Sequence, residues 1–233
     1  MTEGIAALLA EPAPVIAPAL LGATIAGRGV TLRITEVEAY SGTTDPGSHG
    51  HRGDDGAQPP PLRSARHAVR LPLVRHPHLR QRREWAGRHL VGLPAPAVRR
   101  SSRGWTSRER VAVQRSRTSA LARGPGNLGG ALGAVLGQDD GTSLLDGSGP
   151  FVLTLAPGLE ARLASAGPAR VIDELLSETL PGPRAGAAVP RISRGPRTGV
   201  GGIAGGVQYP WRFWLTGDPT VSTYRRHKGA LDS

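Results

Sequence analysis

Apolar residues alternate from Val30 through Leu32 to Ile34, and the same period runs on into Glu36, Glu38 and Tyr40. One strand face thus turns from aliphatic to acidic without a break. Two carboxylates in positions set for apolar side chains are costly to bury unless a site uses them. The text continues through Asp45-Pro46 to Ser48-His49. Upstream, residues 23–26 and 30–40 read as a hairpin about Gly27-Arg28-Gly29.

The same reading sets out the remaining elements. A short helix over residues 5–10 precedes the Pro12-Ala13-Pro14 break. A helix over 128–136 is entered through Gly124-Pro125-Gly126 and closed by Gly137. Strands are expected over 151–156, 197–200 and 211–216, and a short helix over about 171–176. Residues 181–190 read as a Pro/Gly/Ala loop and 227–233 as a loose tail. Strands outnumber helices and the links are hairpin-length. The expected class is α+β, a single domain with a curved antiparallel or mixed β-sheet and short helices. Its parts are an N-terminal extension (1–17), the main domain (18–226) and the tail (227–233).

Charge changes this picture in one place. Residues 54–119 hold fifteen of the 29 Lys+Arg and four of the 18 Asp+Glu, so the whole formal charge of +11 sits there. The segment is rich in Arg and Pro, carries four of the seven histidines and has no Tyr or Phe. The chain has no cysteine, which removes disulfides and gives no sign of secretion. No stretch is apolar enough to span a bilayer, and Met1-Thr2-Glu3 lacks the positive start of a signal peptide. The expected location is cytoplasmic, in the bacterial nucleoid, and the expected state is a monomer.

Glu36-Val37-Glu38-Ala39-Tyr40, the acidic turn at Asp45 and then His49 resemble the hallmark of the alkyladenine (3-methyladenine) DNA glycosylases, E-T-E-A-Y followed by a histidine. Three further blocks agree in order. They are Leu20-Leu21-Gly22, Gly124-Pro125-Gly126-Asn127-Leu128, and Pro196-Arg197-Thr198-Gly199-Val200 with Pro210-Trp211-Arg212-Phe213 and Gly217-Asp218-Pro219. The resemblance covers about residues 18–53 and 120–223. It implies a repair enzyme that flips an alkylated purine out of double-stranded DNA and hydrolyses its N-glycosidic bond, without a cofactor.

On that resemblance Glu38 is the general base that activates water. Spacing alone does not choose between Glu36 and Glu38; the match to the motif's second Glu does. Tyr40 and His49 would hold the flipped base, stacking on an electron-poor purine. Thr198 matches the position whose main-chain carbonyl helps to hold the attacking water. Gly124 and Gly126 are candidate phosphate contacts, and Arg123, Arg197 and Arg212 could contact phosphates or pair with carboxylates. His49-Gly50-His51 invites a metal reading, but no third ligand stands at a suitable spacing, and no metal is expected. The only lysine, Lys228, lies in the tail, which favours simple hydrolysis over a Schiff-base mechanism.

The resemblance skips residues 54–119. Back-translated and read one base later, residues 68–83 can spell Y-V-Y-L-S-Y-G-I-H-T-C-A-N-V-V with permitted third bases. Residues 84–98 can spell S-G-P-D-G-T-S-S-V, and 54–64 can end in R-N-R-R. These resemble the family's missing blocks, in the family's order. The segment therefore reads as a shifted frame that disrupts the central strands. The family's wedge tyrosine, base-discriminating asparagine and water-binding arginine have no counterpart in this chain, so an impaired enzyme is expected. One alternative is a non-catalytic basic DNA-binding protein that uses the Arg-rich run; another is a hydrolase of a different substrate.

Overall fold

The computed structural model describes residues 3–41, 44–48, 89–91, 122, 125–135, 138–139, 144–145, 147–184 and 186–232. Helix α1 (Glu3–Ala10) runs into the Pro12 break, and α2 (Ala13–Ile16) follows, leading into a 3-10 turn over Ala17–Leu20. Strands β1 (Thr24–Gly27) and β2 (Val30–Arg33) form the expected hairpin, with Gly27 opposite Val30. Its two central residues, Arg28 and Gly29, both have positive φ (49° and 75°), as a tight two-residue hairpin turn requires. The Arg28 guanidinium returns to Asp139 through two hydrogen bonds of 2.8 and 2.9 Å.

The long strand expected over 30–40 is two strands. β2 sits in one sheet, of order β2-β1-β5, where β5 is Phe151–Thr154. β3 (Glu36–Tyr40) sits in another, of order β4-β3-β9-β8, with β4 His89–Val91, β8 Ile192–Gly195 and β9 Arg212–Leu215. The chain passes between sheets at Ile34-Thr35. The Ile34 N–H still bonds Ala23 in the first sheet, while the Thr35 carbonyl accepts from Leu215 beside the second. All strand pairs are antiparallel, in keeping with the α+β class.

Elsewhere the boundaries shift. Helix α3 is Pro125–Leu132 and stops at Gly133, whose φ of 65° is the helix-ending conformation, rather than running to Gly137. The short helix near 171–176 is the second half of α4 (Leu159–Ser177), kinked at Gly167-Pro168. Residues 181–190 do not form a plain loop. They close a small hairpin of β6 (Thr179–Pro181) and β7 (Ala188–Pro190). Among the described residues no helix is long and apolar enough to cross a membrane.

Two packed clusters hold the body together. One joins Ile25, Leu32, Ile34, Val37, Ala39, Leu132, Phe151 and Phe213, and so lies between the two sheets and α3. The other joins Leu8, Leu9 and Ile16 to Leu163, Val171 and Ile172, seating the N-terminal helices on α4. β3 contributes Val37 and Ala39 to the first cluster, which leaves its alternate side chains on the opposite face. Of the Arg-rich segment only β4 is described, and it pairs with the outer edge of β3, Glu38 opposite Val91. The remainder of the expectation for residues 54–119 lies outside the described residues.

Candidate active site

Glu36, Glu38 and Tyr40 share one face of β3, and β9 runs antiparallel beside them with Arg212 opposite Glu38. The Arg212 side chain reaches diagonally to Glu36, its Nε donating to Oε1 at 2.7 Å. Ser222 completes the set, with its N–H on Oε2 at 2.8 Å and its hydroxyl on Oε1 at 2.9 Å. Arg212 also donates to the Ser222 carbonyl at 2.7 Å and packs against the Trp214 ring at 4.8 Å. Glu36 is therefore a saturated, charge-paired carboxylate.

Glu38 is equally hidden, 8% exposed, but has no ion pair among the described residues. Its Oε1 accepts the Thr198 backbone N–H at 2.7 Å and its Oε2 the Tyr40 hydroxyl at 3.0 Å. Burial pushes its pKa above the ordinary 4.5, and the negative Glu36 adds to this; the two hydrogen bonds and Arg212 offset only part of the rise. Tyr40 is pushed up as well, first by burial and then by the Glu38 charge. The result is a buried carboxylate that binds a proton more readily than an exposed glutamate does.

Thr198 reaches Glu38 from a turn, not from the strand expected over 197–200. β8 ends at Gly195, and the backbone turns through Thr198 and Gly199, whose φ is 73°. The turn is anchored by Arg197, which is 0% exposed. Its guanidinium grips Asp45 at 2.6 and 2.8 Å, donates to the Ala39 carbonyl at 2.9 Å, and lies 4.5 Å over the Tyr40 ring and 5.1 Å over Trp211. Burial works against the Asp45 charge, but the Arg197 bonds and the Gly47 and Ser41 N–H groups outweigh it and hold its pKa below the usual value. Of the two roles open to Arg197 in the sequence, phosphate contact or carboxylate partner, the structure shows the second. A guanidinium this deeply buried against a carboxylate has no reach to DNA.

The structure brings Glu38, Tyr40 and Thr198 into direct hydrogen-bonded contact. His49, Arg123 and Gly124 lie outside the described residues, and Gly126 lies in the first turn of α3. Asp45 and Ser222 were not assigned from sequence, and Arg212, left open as a phosphate contact or a carboxylate partner, is the latter. Their signal was stoichiometric. A strand that buries two glutamates needs cations and N–H donors from elsewhere, and the closing blocks supply Arg197 and Arg212, the latter between Trp211 and Phe213. The tail is also not loose. Gly202 donates to the Gly229 carbonyl at 2.7 Å, and Leu231 donates back to Gly202 at 3.0 Å.

Comparison with known proteins converges on one family. The methylpurine-DNA glycosylase family model matches residues 7–62. A protein of Frankia casuarinae named as a 3-methyladenine DNA glycosylase is 38% identical over 217 residues, covering 91% of this chain and 88% of its own length. Proteins of the same name from Leifsonia xyli and Mycobacterium tuberculosis are each 35% identical, over 232 and 225 residues, covering 91% of this chain and 88% and 89% of theirs. Such identity spans nine tenths of a chain whose acidic strand, buried arginines and closing turn form one hydrogen-bonded unit, and this chain belongs to the methylpurine-DNA glycosylase family.

Proposed function

We propose that this site carries out hydrolytic excision of alkylated purines of the 3-methyladenine type from double-stranded DNA, with Glu38 as general base. The observation that carries the proposal is the division of labour on β3: Glu36 is saturated by Arg212 and Ser222, and Glu38 is buried without a cation. Each Glu38 oxygen accepts one hydrogen bond and keeps a lone pair for water. In the reaction the C1′–N bond breaks and its electron pair leaves with the base. The water oxygen bonds to C1′, and its proton passes to Glu38. The carboxylate charge also steadies the oxocarbenium character that develops on the sugar.

Tyr40 and His49 hold the extrahelical base in this reading. Arg197 lies over one face of the Tyr40 ring, and in this reading the base stacks on the other. The Thr198 N–H orients the carboxylate, and in this reading its carbonyl helps to hold the water. The protein works as a monomer in the bacterial cytoplasm, without metal or cofactor, and without a lysine adduct. Borohydride trapping of DNA on Lys228 would overturn that last point.

The chain as written excises slowly, because residues 54–119 supply no wedge tyrosine, base-selecting asparagine or water-binding arginine. The test is release of 3-methyladenine or hypoxanthine from duplex DNA by two proteins, this chain and a version with 54–119 read in the alternative frame. Fast release by the second and slow release by the first is expected. Salt-sensitive DNA binding with no release by either would leave only a binding protein.

A further inference from the structure

The C-terminal residues 225–231 run as a strap along the glycine-rich loop 199–206. Gly199 donates to the Arg225 carbonyl at 3.0 Å, Gly202 to the Gly229 carbonyl at 2.7 Å, and Leu231 to the Gly202 carbonyl at 3.0 Å. The approach is too close for side chains. A Cβ on Gly201 would stand 2.9 Å from the His227 ring, and one on Gly206 would collide with the Leu231 carbonyl oxygen. Glycines in this loop thus allow the strap to be held against the very turn that presents Thr198 to Glu38.

The strap carries Arg225, Arg226, His227 and Lys228, all exposed. Arg226 is engaged by Asp232 at 2.9 Å. Arg225 and Lys228 have no ion pair among the described residues. By contrast, Arg33, Arg197 and Arg212 around the site are all bound to carboxylates. Two cations without an ion pair among the described residues thus stand on a backbone pinned beside the Thr198 turn. Charge left unneutralised beside a site for a polyanion favours phosphate, and an ordered strap loses little conformational freedom when it binds.

We infer that Arg225 and Lys228 form a phosphate-contacting rail that seats the DNA backbone beside the nucleotide delivered to Glu38. This rests on the glycosylase reading for its occupant, a duplex phosphate backbone. The contacts are to phosphate, so they position the duplex without reading its sequence.

The experiment measures the affinity of the full chain for undamaged duplex DNA across a salt series, for the parent and for Arg225→Ala combined with Lys228→Ala. The expected result is a log–log salt slope shallower by about 1 for each cation removed, hence about 2 for the pair. The charge-keeping pair Arg225→Lys with Lys228→Arg should restore the parent slope. Arg184→Ala, an exposed arginine in the separate β6–β7 hairpin, should leave it unchanged. Thermal melting of each variant checks folding; both strap residues are exposed, so melting should stay at the parent value. A parent-like slope in the double alanine variant overturns the inference, as does an equal loss in Arg184→Ala. Base release is measured separately on lesion-bearing DNA. A strap-dependent slope without base release by either frame sinks the glycosylase reading and leaves the rail; base release with a strap-insensitive slope does the reverse.

Discussion

Glu36 and Glu38 stand two residues apart on one face of one strand, both nearly inaccessible, yet their surroundings differ. At the Glu36 end, β9 and the segment after it close over the carboxylate with a guanidinium, an N–H and a hydroxyl. At the Glu38 end, the closing groups are one N–H and one phenol, and the guanidinium of Arg197, which lies over the Tyr40 ring, has been taken by Asp45. Burial is common to both, so burial alone does not distinguish them. The distinction lies in where the positive charge goes. Arg197 and Arg212 each neutralise a carboxylate, and neither is Glu38.

That contrast can be attacked by substitution. Glu38→Gln should lower base release by about 10²–10⁴-fold in the frame-restored protein, measured in single turnover. Its folding stability at neutral pH should be unchanged or higher. A carboxyl whose folded pKa is raised favours folding below its unfolded pKa and opposes it once ionised, so removing the ionisable group does no harm. Loss of stability with full activity would put the two glutamates in the opposite roles. Glu36→Gln should do the reverse. It breaks a buried pair and leaves Arg212 uncompensated, which costs about 3–5 kcal/mol in denaturant unfolding.

The pH profile sharpens the contrast. Base release requires ionised Glu38, so its acid limb should lie above the ordinary glutamate value of 4.5, and activity should fall as pH drops through it. Tyr40→Phe removes a hydrogen bond that favours the ionised form and should move that limb further up. A limb moving down would mean that the phenol does not serve Glu38. The smallest effect concerns Thr198, whose buried Oγ1 has no hydrogen-bond partner among the described residues. Thr198→Val keeps the N–H that Glu38 needs and should raise stability by about 1 kcal/mol with base release retained. A large loss of activity would show that the hydroxyl, too, takes part.

The expected hairpin at Arg28-Gly29, the strand at Phe151 and the α+β class were legible because each rests on local rules. Turns declare themselves through glycine, and a half-buried strand through its period of two. The break at Ile34-Thr35 was not legible, since the apolar-to-acidic run is continuous in sequence and only the choice of neighbouring strand divides it. The first half of α4 was hidden for want of a local signal: the compact apolar run comes only after Pro168, while Leu159 and Leu163 bury in a cluster with α1, far away in the chain. The strand expected at 197–200 failed for a related reason. Arg197 there serves Asp45, 152 positions earlier, and that long-range bond bends the chain away from the sheet.

The amino-acid order alone marked an acidic strand, a family resemblance in separated blocks, and an Arg-rich stretch between them, since motif spacing, side-chain period and charge count are properties of order. Which glutamate is locked and which is poised, why Arg197 is a buried clamp, and how the last residues come to border the site were settled by folding. Each depends on which distant group reaches a buried charge first, and a carboxylate's partner is chosen by proximity in space.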